Sequence, residues 1–176
     1  MPGFIIGSTD ARGPSPTVET ARSHRWRIEI YGTYLPESPD VVFYAHSCTR
    51  PSIEIDPIKM HHRQNEINLP GKYRYGTITL KFYEKITADA DSTAEYFHRW
   101  WSKVVTTASA HTINPTAYRT RVAIYLTDGA GKTIHWYKLH NAWPAKVEGS
   151  ELDYSVSEIA TITVTIVFDW ADEQRR

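Results

Sequence analysis

From Ala160 to Trp170 the chain alternates without a fault. Ala160, Ile162, Val164, Ile166, Phe168 and Trp170 share one parity; Ile159, Thr161, Thr163, Thr165 and Val167 share the other. A period of two is a strand signature, because successive strand side chains point to opposite faces. On a helix the same residues would be smeared around every side. The β-branched content reinforces the assignment. A strand over Glu158–Trp170 therefore has one face made to be buried. Its other face is hydroxylic and uncharged. An ordinary wet face normally brings in Lys and Glu. A row of threonines fits equally well a surface that is wet yet uniform, such as the wall of a channel.

The rest of the chain repeats the strand pattern. Arg25 to Gly32 reads RWRIEIYG, with Trp26, Ile28 and Ile30 on one face and Arg25, Arg27 and Glu29 on the other. Val41 to Cys48 forms a second strand. Next come Ile53 and Ile55, then Pro57, after which Ile58 and Met60 take the opposite parity. Ile67 and Leu69 lead to Pro70-Gly71, after which Ile78, Leu80 and Phe82 alternate with Thr77, Thr79 and Lys81. Two long segments thus carry Pro or Gly at similar distances from a polar turn, His61 to Glu66. Proline lacks an amide donor, so such strands bend or lie at an edge. The prediction is one extended hairpin over about 50–76 that projects beyond the domain body. An apolar face on such a projection needs a partner. Thr120–Thr127 and Lys132–Leu139 form another hairpin across Asp128-Gly129-Ala130-Gly131.

One helix is expected, at about 92–108. Ser92 is placed to cap it, with Glu95 three residues on. Phe97, Trp100, Trp101, Val104 and Val105 recur at helical spacing, a face suited to packing on a sheet. Residues 1–23 are rich in Gly, Pro, Ser and Thr and cannot bury a core of their own. The Phe4-Ile5-Ile6 run inside them favours an arm that orders against a neighbouring subunit. The domain itself is expected over 24–172, with 173–176 as a charged tail.

Several function classes are excluded or disfavoured. Twenty basic and twenty acidic residues cancel, so the chain lacks the positive surface of a dedicated nucleic-acid binder or of a polybasic membrane anchor. A single cysteine, Cys48, forbids an intrachain disulfide. No secretory leader pattern and no spanning apolar run are visible, which points to a protein assembled in the cytoplasm, without a membrane partner. His61 and His62 are adjacent and would point to opposite strand faces, and His135 and His140 also alternate, so neither pair chelates one ion. His46 stands two residues from Cys48, a spacing that coincidence explains better than a catalytic dyad. Asp128 to Thr133 (DGAGKT) lacks phosphate-loop spacing and joins strand to strand. No catalytic, metal or cofactor site is expected.

The order of elements resembles the tail tube proteins of contractile-tailed (myovirus-type) bacteriophages. The resemblance is carried by Leu139 to Pro144 (LHNAWP), Val147, Gly149, Leu152-Asp153-Tyr154, Glu158-Ile159 and the terminal TVTIVFDW. Ile67 to Gly71, Tyr75-Gly76, the strand Thr77 to Glu84 and the opening Arg25–Gly32 strand add to it. It covers roughly Ser23 to Asp172. It implies a mainly β fold of two packed antiparallel sheets, sandwich or barrel, with one flanking α-helix. It further implies hexameric rings whose inner sheets join into a β-barrel, stacked into a tube that conducts the genome and sits in the virion. Implied partners are further copies of the chain, tail sheath, baseplate and tape-measure proteins, and double-stranded DNA passing through the lumen. On this basis Thr77, Thr79, Lys81, Thr161, Thr163 and Thr165 are expected to line the lumen. Phe4, Ile5, Ile6, Ile53, Ile55, Ile58, Met60, Ile67 and Leu69 are expected to meet other subunits. The same family pattern extends to tube proteins of contractile injection and type VI secretion machines and to baseplate tube initiators. A small-ligand β-barrel is the competing class; it requires a closed apolar cavity within one subunit.

Overall fold

A computed structural model describes residues 22–31, 45–63, 65–85, 92–106, 111–112, 114–153, 155 and 157–175. The described chain is mainly β. In order it forms β1 (Trp26–Tyr31), β2 (Ala45–Cys48), β3 (Ile53–His62), β4 (Asn65–Tyr75), β5 (Ile78–Tyr83), α1 (Thr93–Ser102), β6 (Val105–Thr106), β7 (His111–Thr112), α2 (Pro115–Tyr118), β8 (Thr120–Thr127), β9 (Thr133–Gly149), β10 (Thr161–Val167) and β11 (Trp170–Arg175).

The alternating segment organises two antiparallel sheets that share β9. In one, β8 pairs with β1 and with the first half of β9, and β11 pairs with the other edge of that half. In the second, the order is β9, β10, β5, β2. Asn141 makes the change of direction possible. Between Val122 and Thr120, β9 advances one residue more than β8, and Asn141 takes φ 56° there. A bulge bends its strand, and Asn tolerates the left-handed region better than most residues. Asp169 braces this corner: its carboxylate accepts from Asn141 Nδ2 at 2.8 Å and Arg119 at 3.2 Å.

The aliphatic parities of the strands meet inside. Ile28, Val122, Leu139, Ile78, Leu80, Phe82, Val164 and Ile166 are fully buried and belong to one core. Helix α1 packs on β9 and drives Tyr96, Phe97 and Trp100 into that core. Phe97 meets Phe82 at 4.8 Å between ring centroids. The Trp100 indole donates to the Tyr118 carbonyl at 2.8 Å, so its one polar atom is satisfied.

Several expectations need correction. The helix ends at Ser102 rather than near 108, because the β-branched run from Val104 favours the short β6–β7 pairing instead. Ser92 does cap it, accepting from the Glu95 amide at 3.1 Å. The Glu95 carboxylate pairs forward with Arg99. A second, four-residue helix starts at Pro115 behind the Asn114 cap. The strand expected to stop near Leu139 continues through Trp143-Pro144 to Gly149. A bulge opposite Thr165/Ile166 accommodates the proline. The strand expected over Glu158–Trp170 is interrupted at Phe168–Asp169. Trp170 therefore leaves the buried row and stacks on His140 at 3.6 Å. Glu173, Gln174 and Arg175 are not a tail: they pair with β9 in β11. The arm of residues 1–21, with Phe4, Ile5 and Ile6, and residues 41–44 lie outside the described residues.

The long hairpin is present. β3 and β4 pair only with each other among the described residues. They continue the β2–β5 pair in register: Cys48 faces Leu80, and Ile53 faces Tyr75 with no residue gained or lost between. At the tip Arg63 takes φ 57°. The ten residues of β3, at the usual strand rise, carry the tip roughly 30 Å beyond the sheet.

Trp100→Ala empties a fully buried site and orphans the Tyr118 carbonyl. It is expected to cost about 3–5 kcal/mol, read as a lower urea midpoint at unchanged slope. Gly71→Ala has a different signature. A Cβ there overlaps the Asp56 carbonyl oxygen across the hairpin, so the hairpin must distort. Amide exchange is expected to accelerate across Ile53–Tyr75 while β5 and β10 keep their protection.

Candidate assembly and lumen surfaces

The threonine row acquires neighbours from β5 and β9. In the register, Thr161 faces Tyr83, Thr163 faces Lys81 and Thr165 faces Thr79. On the other side Thr163 faces Glu148 and Thr165 faces Lys146. Because β5 buries Ile78, Leu80 and Phe82, pleat alternation sends Thr79, Lys81 and Tyr83 to the outside. Five of the six residues expected to share a surface thus lie side by side on one sheet face. Thr77 is exposed one residue before β5 begins. Lys81 belongs to the face and is exposed. Lys146 and Glu148, missed because β9 was ended too early, complete it and pair at 2.5 Å. Their alternation with Val147 was the available signal.

This second sheet has two free edges among the described residues. One is β2, which pairs only with β5; the other is Trp143–Gly149 of β9, beyond the reach of β8. Free strand edges present a row of unpaired amides and carbonyls, which natural proteins seldom leave uncovered.

The hairpin carries the predicted apolar residues, divided between its two sides. Ile53 and Ile55 face Tyr75 and Tyr73 near the base; Ile58 and Met60 face Leu69 and Ile67 near the tip. β3 has no extra residue between Ile55 and Ile58, since the bulge lies on β4. The base and tip patches therefore fall on opposite sides of the ribbon. Ile53, Ile55, Ile58, Met60, Ile67 and Leu69 are all between 40% and 59% exposed. The reverse side at the base is ionic, with Arg74 bound to Glu54 and Asp56.

Beyond β9 lies a cleft of about 620 Å³ lined by Ser150–Asp153 and Glu158–Thr161. In it Leu152 is 84% and Ile159 68% exposed. It is open and is not the closed apolar cavity that a small-ligand barrel requires.

Burial pushes the Cys48 thiol up to about 12, so it is not a thiolate near neutral pH, and it donates to its neighbour's carbonyl. His46 sits 4.8 Å from the Tyr83 ring. Among the described residues no three His, Cys, Asp or Glu side chains are placed to hold a metal. No described helix is long and apolar enough to cross a membrane. Asp128 shapes a hairpin turn, its carboxylate accepting from the Ala130 and Lys132 amides at 2.9 and 2.8 Å.

Solved structures share this fold. A chain of the PVC sheath-tube complex of an extracellular contractile injection system, in its extended state, is 17% identical. It aligns over 89% of this chain and 93% of its own, with a TM-score of 0.66. The anti-feeding prophage tube terminating cap is 19% identical over 96% and 100%, with a TM-score of 0.68. A chain of the 6-fold symmetrised anti-feeding prophage baseplate is 13% identical over 90% and 97%, with a TM-score of 0.65. No curated protein sequence matches. At these identities the likeness is one of fold. The family assignment comes from the sequence itself. The family model described as T4-like virus tail tube protein gp19 matches residues 22–171, nearly the whole described domain. The chain belongs to that family of structural tail tube proteins.

Proposed function

We propose that six copies of the chain close into a ring whose lumen is walled by the threonine face, and that stacked rings form the tube through which the viral genome leaves. The observation that carries this is the second sheet: it has one face centred on a threonine row and two edges unpaired among the described residues. Pairing β2 of one copy with Trp143–Gly149 of the next satisfies both edges. It also makes the sheets continuous around a lumen, as an edge-free barrel requires. The number six follows the baseplate relative, whose structure was solved with 6-fold symmetry.

The wall suits passage rather than capture. Duplex DNA presents about one negative charge every 1.7 Å of axis, and each cation that meets it adds salt-sensitive affinity. Lys146 is matched by Glu148, and threonines neither attract nor repel phosphate as ions do. Lys81 remains as the unmatched cation on the face among the described residues, so the wall is near neutral. The opposite sheet turns Arg27, Tyr125, Trp136 and Lys138 outward, toward the sheath in an assembled tail.

Purified protein is expected to form stacked rings in negative stain. Monodisperse monomers at every concentration and salt tested contradict the proposal. Thr163→Lys with Thr165→Lys changes only outward-facing side chains, so the fold should hold within about 0.5 kcal/mol. In a phage carrying both changes, tails should assemble while DNA ejection slows several-fold. Unchanged ejection kinetics from intact tails would remove the threonine face from the lumen.

A further inference from the structure

The threonine face changes character where β5 meets β2. Between Ala45, which faces Phe82, and Ser47, which faces Lys81, β2 carries one residue more than β5. The extra residue is His46. A bulge of this kind can leave two neighbouring residues on one face of its strand. Ala45 and Cys48 pack against the core, and His46 and Ser47 between them are both exposed. The His46 ring lies 4.8 Å from the Tyr83 ring, and Ser47 stands beside Lys81. We propose that His46, Ser47, Lys81 and Tyr83 form a phosphate-contact station on the lumen wall, a weak hold on duplex DNA as it passes. The inference rests on the lumen reading above and names the residues that set its drag.

Three observations carry it. First, all four side chains can donate a hydrogen bond: an ammonium, an imidazole N–H and two hydroxyls. None of them is an acid. Second, Lys81 has no ion partner among the described residues. Thr163 flanks it on one side and Ser47 on the other. The carboxylate in the same row, Glu148, lies one strand beyond Thr163 and is bound to Lys146. Glu151, Asp153 and Glu158 line the cleft on the β9–β10 side of this end, so the acids and the donors are segregated to different strands. Third, the bulge itself re-aims a side chain. With strict alternation from Ala45, one residue fewer would stand on the outward face, and the His46–Tyr83 contact would be lost. A row of threonines lets a polyanion slide. One unmatched cation per copy, repeated around a ring, adds a hold that is sensitive to salt.

The test is the binding of a short fluorescent DNA duplex to assembled tubes, read by co-sedimentation between about 50 and 200 mM salt, a range over which phosphate contacts weaken steeply. Tubes of the unmodified chain should bind the duplex at the low end and release it at the high end. Lys81→Gln tubes should bind several-fold less at low salt, with a flatter salt dependence. Lys81→Arg keeps the cation and should keep the slope. Tyr83→Phe provides a second variant should Lys81→Gln disturb assembly; it should weaken binding with the slope unchanged, since a neutral donor releases no counterion. Lys138→Gln, on the opposite sheet, should change nothing. Unmodified tubes that bind no duplex at low salt, or Lys81→Gln tubes that bind as the unmodified ones do, overturn the inference and leave the stacked-ring reading standing. Loss of binding in Lys138→Gln instead puts the DNA on the outside of the tube and also overturns it. Failure of the unmodified protein to form rings at all overturns both.

Discussion

The fold depends on one strand that belongs to two sheets. β9 runs for 17 residues, long enough to pair with β8 and β11 over its first half and with β10 over its second. Neither sheet can slip against the other without breaking this ladder. Because side chains alternate with a period of two, a one-residue slip would also turn every buried side chain outward. The Asn141 bulge and the Asp169 brace set where the strand bends. That bend lets two sheets enclose one core, and it ends the reach of β8, which leaves the Trp143–Gly149 edge open among the described residues.

The same register links core and surface. Burying Ile162, Val164 and Ile166 obliges Thr161, Thr163 and Thr165 to face out. Antiparallel pairing then sets Thr79, Lys81, Lys146 and Glu148 beside them. No residue needs special chemistry for this surface to form; it is the reverse of a well-packed sheet. The hairpin obeys the same logic. It is the β2–β5 pair continued past the point where β10 ends. Its apolar side chains are therefore half exposed because the sheet that would cover them has stopped.

Where local pattern decided the outcome, the sequence was legible. The threonine alternation, the hairpin with its parity switch, the Asp128 turn and the Ser92 cap all follow from side-chain period or from a single hydrogen bond. Where tertiary pairing decided it, the sequence misled. Pro144 reads as a stop, yet a bulge carries the strand past it, and with it went Lys146 and Glu148. Val104 and Val105 fit a helical face, but their β-branching and the β7 partner end the helix first. Trp170 fits the buried row, but the Phe168–Asp169 break turns it onto His140. Leu152 carried no period and Ile159 fell on the threonine parity; both are exposed in the connection before β10, and only the placement of the strand ends revealed their cleft.

The central claim is that sheet pairing between copies builds the channel and that the threonine face is its wall. A cryo-electron microscopy reconstruction of the assembled protein tests it most directly. The account predicts β2 hydrogen-bonded to Trp143–Gly149 of the neighbouring copy, with Thr163 and Thr165 pointing into the lumen. An assembly in which either edge stays unpaired, or in which those threonines face the outside of the tube, would contradict it.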